Sequence, residues 1–284
     1  MKEITFYKMV ATGNDFVVVD NRKKIISNAA TFAREVCARH TGIGGDGVLL
    51  LENVGAGSPR PEGRGNLAPT TRVDYGVRIF NSDGSEAEAC GNGFRCIALA
   101  AREKFGFPKK QRFESLAGIV EADVKDGRVS VGLMEPRDSS GREKIQINGR
   151  TLHYYFVRVG VPHAVIFVEG LAKIPVLELG RQIRSHPKFK PAGTNVNFVE
   201  VNGSNSIKVE TYERGVEANT LACGTGSTAS ALVSARVGYV KPPVRVKTRS
   251  GEILTIDFEM KGEKIQNVSL EGEARLVFEG KWKS

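Results

Sequence analysis

The chain offers little to hold a metal or cross a membrane. Its 284 residues include only four His and four Cys, and no two Cys form a Cys-x-x-Cys pair, so a metal centre is not expected. No apolar run approaches the ~18 residues of a membrane-spanning helix. The opening MKEITFYKMVATGND lacks the apolar core of a signal peptide. A cytoplasmic protein with reduced cysteines is therefore expected, without a membrane partner. Lys and Arg exceed Asp and Glu to give a net charge of +9. They are scattered in short clusters such as Lys109 and Lys110, and no aromatic-interleaved basic stripe appears. That distribution reads as a solvated surface, not a nucleic-acid site, although it suits an anionic small substrate. No Lys-centred cofactor motif is visible either.

What the chain does have is glycine, 32 residues of it, and a 40% hydrophobic composition. Many short strands and tight turns follow from that mixture, over a length sufficient for two domains. One motif occurs twice: ACGNG at 89–93 and ACGTG at 222–226. Glu and Ala stand shortly before each copy, and an Ala-rich helical run follows each, FRCIALAAREKF and STASALVSARVG. A glycine turn that opens a helix presents unpaired N–H groups and the positive end of the helix dipole, which together attract an anion. A thiol at such a turn is drawn towards thiolate. Two copies suggest pseudo-symmetric halves with Cys90 and Cys223 on either side of one bound anion. Cys37, in the helical TFAREVCARH, and Cys96, one helical stretch beyond Cys90, read as core thiols.

Along the chain, ITFYKMV, FVVVD and VLLLE read as strands, with a helix over 29–40. Residues 55–69, GAGSPRPEGRGNLAP, read as a surface insertion. TRVDYGVRIF leads into the first Cys turn, and RFESLAG, IVEADV and RVSVGL follow its helix as strands. Polar MEPRDSSGREK places a domain boundary near Val131. TLHYYFVRVG then reads as a strand, VPHAVIFV as a loop and strand, and PVLELGRQIRSH as an amphipathic helix. NVNFVEV and SIKVETYERG feed the second Cys turn, and RVKTRS, ILTIDF and VSLEGEARLVFEG close the chain as strands. The expected fold is α+β, with two pseudo-symmetric domains, 1–130 with 273–284 and 131–272. Each is a strongly curved mixed or antiparallel sheet wrapped around a central helix, with the active site in the cleft between them.

Paired thiols around one anion suit inversion at a carbon α to a carboxylate. One thiolate takes the α-proton, the opposite thiol delivers another, and helix N-termini hold the developing charge. At this point the chain is seen to resemble the diaminopimelate epimerase family. The likeness runs through KMVATGNDF, HTGIGGDGVLL, RIFNSDGSEAEACGNGFRC, VGVPHAV, TNVNF and YERGVEANTLACGTG, in that order. It implies a pyridoxal-phosphate-independent isomerase that interconverts LL- and meso-2,6-diaminopimelate in lysine and peptidoglycan-precursor biosynthesis. It also implies a homodimer and no cofactor. By position, Cys90 and Cys223 would be the acid/base pair. Gly91, Asn92, Gly224 and Thr225 would bind the reacting carboxylate through backbone groups. Asn14, Asn81, Asn195 and Arg214, with the backbone of Glu213, would hold the substrate, and His163 and Glu213 would tune the thiols. Asn amides and an Arg–Glu pair are also what a zwitterionic amino-acid head requires.

Two positions depart from the family pattern. Asn usually stands where this chain has Val161, before Pro162 and His163, and some members carry Gln at Gly47. Losing one substrate hydrogen bond typically costs ~0.5–1.5 kcal/mol, which leaves room for a shifted substrate preference. A related two-cysteine racemase, such as a proline racemase-like enzyme, is the alternative. A third possibility is a non-catalytic protein of the same fold, which would need neither thiol.

Overall fold

The computed structural model describes residues 3–55 and 72–283. The insertion expected at 55–69 lies outside the described residues, apart from Gly55. The chain divides into two units, residues 1–132 with 272–284 and residues 133–271. Among the described residues no helix is long and apolar enough to cross a membrane.

The first unit runs β1 (Glu3–Ala11), β2 (Asn14–Asp20), α1 (Ala29–Cys37), β3 (Gly47–Glu52), β4 (Tyr75–Asn81) and β5 (Glu86–Ala87). It continues through α2 (Gly91–Lys104), β6 (Lys110–Ser115), β7 (Gly118–Lys125) and β8 (Arg128–Gly132), and takes in the C-terminal strand Arg275–Lys283. That last strand lies antiparallel to β1, and β1 lies antiparallel to β2. Parallel β2–β3 pairing follows, then antiparallel β3–β4. The far edge of β4 carries β5 antiparallel and β6 parallel, and β7 and β8 extend the sheet antiparallel. The apolar runs at 16–19 and 48–51 are buried on both faces of the sheet, as parallel strands covered by helices require. Val17, Val19, Val48 and Leu50 join Phe32, Ala33 and Val36 of α1 in one core. The alternation of strand side chains turns Phe16, Val18, Leu49 and Leu51 to the opposite face. There α2 packs against β1, β2, β3, β7 and β8. Residues 92–101 of α2 are buried without a break, so the sheet wraps around this helix and leaves it no solvent face.

The second unit repeats the plan with β9 (Arg142–Ile147), β10 (Arg150–Val159), β11 (Val161–Phe167), α3 (Val176–Arg184), β12 (Asn195–Gly203) and β13 (Ser206–Glu213). β14 (Ala218–Thr220), α4 (Gly224–Arg236), β15 (Val244–Lys247), β16 (Ile253–Lys261) and β17 (Lys264–Glu273) complete it. β9 plays towards β10 the part the C-terminal strand plays towards β1. β11–β12 is again the parallel pair, and β13 carries β14 antiparallel and β15 parallel. α4 is buried over residues 226–235 and packs against β10 to β13 and β15 to β16. Its hydroxyls bond back to the preceding turn, Thr228 Oγ1 to Gly224 O (2.9 Å), Ser230 Oγ to Gly226 O and Ser234 Oγ to Ser230 O (both 2.7 Å). A Ser-rich helix can therefore be buried without stranded donors.

The α+β class with one central helix per sheet is thus the architecture the sequence predicts. Three local readings need correction. VPHAVIFV is strand from Val161 onward, because Pro162 sits at the strand's start, where its missing N–H is tolerated. β9 begins at the end of MEPRDSSGREK, where no strand was expected, since its alternation is short and buries only Ile145 and Ile147. The closing run VSLEGEARLVFEG breaks at Ala274 into β17 and the C-terminal strand.

Candidate active site

Each motif cysteine is the N-cap of the central helix of its unit. Cys90 (φ −148°, ψ 108°) and Cys223 (φ −125°, ψ 114°) are both extended, as an N-cap residue must be. Each Sγ accepts the amide N–H three residues on, from Gly93 or Gly226, at 3.4 Å. The N–H groups of Gly91, Asn92, Gly224 and Thr225 fall in the first turns, where no intrahelical acceptor exists. Both turns therefore carry the geometry of an anion site. Cys37 and Cys96 differ sharply from this pair. Both are buried, and burial pushes the Cys37 thiol up to about 11 and the Cys96 thiol still higher. They are inert core thiols.

Around Cys90, four elements meet in one polar chain. Arg95, fully buried one turn into α2, donates from Nη2 to Thr12 Oγ1 and to Asn92 Oδ1 (3.0 Å). Asn92 Nδ2 donates to Asn14 Oδ1 at 2.6 Å, and Asn14 Nδ2 to Asp46 Oδ2 at 2.9 Å. Asp46 also receives Arg39 Nη2 at 2.8 Å. The chain runs from a buried cation to a carboxylate, so both Asn amides have one permitted orientation. Asn81 stands opposite Gly47 in the β3–β4 register, and its side chain bonds Ser85 Oγ at 2.9 Å. Its neighbour Ser82 donates its backbone N–H to the Asp46 carbonyl at 3.1 Å, which ties this strand end to the network. Asp46, Thr12 and Arg95 went unnoticed in the sequence, although all three fall inside the quoted motifs.

Around Cys223, Thr225 Oγ1 lies 3.5 Å from the thiol. Burial raises the Glu213 carboxyl above the usual range, and a hydrogen bond with Cys223 opposes that rise. Asn195 Oδ1 accepts the Arg214 N–H at 2.8 Å, which leaves Asn195 Nδ2 as the outward donor. Arg214 Nη1 is bonded to Ala192 O at 2.9 Å. His163 pairs with Asn195 in the parallel β11–β12 register and is fully buried. Asn197 Nδ2 lies 3.2 Å from His163 Nδ1, and Asn197 Oδ1 accepts from Thr211 Oγ1 at 3.0 Å. Asn197 and Thr211 also escaped the sequence reading, because a polar residue inside a strand of buried positions carries no mark of its role.

The strand registers align the two sites residue by residue. Ile79 pairs with Ala87, and Cys90 lies three beyond it; Thr211 pairs with Thr220, and Cys223 lies three beyond it. Leu49 faces Ile79 as Asn197 faces Thr211, and Phe16 faces Gly47 as His163 faces Asn195. The buried trio Phe16, Leu49 and Ile79 beneath Cys90 is thus replaced beneath Cys223 by His163, Asn197 and Thr211. By the same count Val161 is the counterpart of Asn14, and Gly47 that of Asn195. Each unit contributes one Asn from this pair of positions, but from opposite strands. A Cβ at Gly47 would stand 2.4 Å from Phe80 O, so no side chain fits there without moving β4.

Burial holds His163 neutral, its pKa lowered from 6.5 to about 3. Between those values the unfolded chain binds a proton that the folded chain does not, so stability is lost as pH falls from 6.5 towards 3. The slope from this group is about 1.4 kcal/mol per pH unit, with no contribution above 6.5. Urea unfolding at a series of pH values should therefore show wild type losing stability more steeply than His163→Gln over that window. Parallel curves would contradict the neutral, buried imidazole.

The diaminopimelate epimerase family model matches residues 6–136 and 155–277. The diaminopimelate epimerase of Aquifex aeolicus (strain VF5) is 44% identical over 286 residues, covering 97% of this chain and 96% of that protein. Among solved structures, a PhzF-family phenazine biosynthesis protein from Bacillus anthracis superposes with a TM-score of 0.73 at 14% identity over 100% of both chains. A hydroxyproline epimerase from Agrobacterium vitis does so with 0.69 at 16% identity, over 98% of this chain and 92% of that one. At those identities the structural likeness speaks for the fold alone. The sequence likeness covers both cysteine turns and nearly the whole length. The chain belongs to the diaminopimelate epimerase family.

Proposed function

We propose that this isomerase interconverts LL- and meso-2,6-diaminopimelate by proton transfer between two cysteines, without a cofactor. The observation that carries the mechanism is the equivalence of Cys90 and Cys223 as N-caps of the two central helices. The thiolate of one takes the α-proton while the thiol of the other gives its proton to the opposite face. The enzyme ends with its single proton on the other sulfur. Backbone N–H groups of Gly91, Asn92, Gly224 and Thr225 hold the carboxylate as negative charge develops beside it. Asn14, Asn81, Asn195 and Arg214, with the backbone of Glu213, hold the substrate and its distal amino-acid head, and His163 and Glu213 set the electrostatics around the thiols. Incubating purified protein with LL-diaminopimelate in D2O tests this. Meso product with deuterium at the inverted carbon is expected, and binding without exchange rejects the reading.

Two reduced thiols at the centre of the chemistry favour a reducing compartment, so we place the enzyme in the cytoplasm; compartment-specific labelling of cells checks this, and an extracellular location rejects it. A homodimer is supported by the exposed Val277 and Phe278 on the C-terminal strand, which pairs only with β1 among the described residues. Sedimentation equilibrium reads that state, and a monomer at micromolar concentration rejects it.

Val161 stands where an amide would meet the distal head. Val161→Asn is expected to lower KM about two- to tenfold, equivalent to one hydrogen bond. kcat should change less, because the distal head is bound alike in ground and transition states. An unchanged or raised KM in the folded variant refutes the missing contact.

A further inference from the structure

The imidazole of His163 is held by a short chain of uncharged groups whose hydrogen-bonding directions can be worked out. Asn197 lies 3.2 Å from Ala164 O, a carbonyl that only accepts, so the atom placed there must be the amide nitrogen. The opposite end of the amide, Oδ1, receives Thr211 Oγ1. The second N–H of the same nitrogen faces His163 Nδ1 at 3.2 Å. Nδ1 must then accept, and a neutral imidazole whose Nδ1 accepts carries its proton on Nε2. His163 Nε2 is buried and has no hydrogen-bond partner among the described residues. On β11, Ala164 and Ile166 face the α3 core, so His163 lies on the α4 side. There a Cβ at Gly226, in the first turn of α4, would lie 2.4 Å from Asn197 Oδ1. The fold itself does not demand this arrangement, because the equivalent positions beneath Cys90 are the apolar Phe16, Leu49 and Ile79.

We propose that Asn197 and Thr211 are positioning residues that lock His163 in the Nε2–H tautomer, as a fixed neutral donor whose acceptor arrives with the substrate at Cys223. The lock rests on the structure, and the substrate's part in it rests on the function proposed above. Ala164 O orients the Asn197 amide and Thr211 holds its other end, the amide fixes the ring, and the ring offers one N–H without exchanging protons. A neutral donor of this kind steadies negative charge on the substrate. The low pKa of the ring agrees with that role and excludes His163 as a proton carrier near neutral pH.

Nitrogen-15 NMR of histidine-labelled protein reads the tautomer directly, from the couplings of each ring nitrogen to the carbon-bound ring protons. Wild type without substrate should show the proton on Nε2. In Asn197→Asp the carboxylate can only accept, so Nδ1 must become protonated, and kcat should fall on the order of 100-fold with a smaller change in KM. Thr211→Val leaves Asn197 Oδ1 without its donor and only Ala164 O to hold the amide, which should loosen the ring, admit a minor Nδ1–H population and lower kcat on the order of tenfold. Thr211→Ser restores the hydroxyl and should restore both readouts. A residue that only filled space would not move the proton from one nitrogen to the other. Protonated Nδ1 in wild type overturns the proposal, as does an unchanged Nε2–H form in either Asn197→Asp or Thr211→Val. Should wild type show the Nε2–H form but fail to epimerise diaminopimelate, the lock stands and the function proposed above fails.

Discussion

Cys90→Ala and Cys223→Ala are each expected to abolish epimerisation, with kcat reduced by at least about a thousandfold. In the proposed mechanism each sulfur serves as the base in one direction and as the acid in the other, so neither could be spared. A positioned acid or base typically contributes on the order of 10²–10⁴-fold to rate, and under the proposed mechanism the loss falls on the group assigned to one face of the α-carbon. Folding should survive the substitutions, because the thiol contributes one N-cap bond at 3.4 Å, worth at most about 1 kcal/mol. Cys37→Ala and Cys96→Ala provide the contrast. Both thiols are buried away from the helix N-termini, with pKa values raised by burial. Activity should therefore persist in the folded variants. Steady-state assays of the four proteins in both directions decide the matter. Substantial turnover by Cys90→Ala or Cys223→Ala would sink the two-base mechanism, and loss of activity in a folded Cys37→Ala or Cys96→Ala would show a third thiol at work.

The same contrast shows what sequence reasoning reaches. The two cysteine turns were legible because their chemistry is local: a cap, a glycine and the helix that follows are consecutive residues. The buried strands were legible for the same reason, since runs such as 16–19 and 48–51 declare burial on both faces. The networks behind the cysteines were not. His163, Asn197 and Thr211 come from three strands, and only the parallel β11–β12 register and the antiparallel β12–β13 register bring them together. Arg95 and Asn92 of α2 likewise meet Asn14 and Asp46 from distant parts of the chain. Asn197 within NVNFVEV reads as a polar interruption, and Arg95 within GFRCIALAA reads as an exposed helix residue. Each is in fact fully buried. Burial of a polar side chain is set by the partner that meets it, and that partner is not adjacent in sequence.

Gly226→Ala is expected to disable the second site, whereas Gly93→Ala, the same substitution at the equivalent position, is expected to be mild. A Cβ at Gly226 would stand 2.4 Å from Asn197 Oδ1 and 2.9 Å from Thr211 Oγ1. Both atoms belong to side chains already committed to each other and to His163, so neither can withdraw without breaking the hydrogen bonds around the ring. Either α4 shifts, carrying Cys223 with it, or the trio comes apart. Overpacking of this kind costs about 1–3 kcal/mol, and a displacement near 1 Å in a catalytic group costs on the order of 100-fold in rate. At Gly93 the nearest atom is Leu49 Cδ2 at 3.0 Å, the far end of a flexible apolar side chain, followed by Cys90 Cβ at 3.4 Å. A small rotation of Leu49 makes room, and the ~1 kcal/mol helix-propensity gain of Ala over Gly offsets the strain. Thermal unfolding and kcat of the two variants therefore form a matched pair, differing only in whether the helix start rests on a hydrogen-bonded trio or on hydrocarbon. Equal losses in both, or the larger loss at Gly93, would show that the polar packing beneath Cys223 does not set the position of its helix.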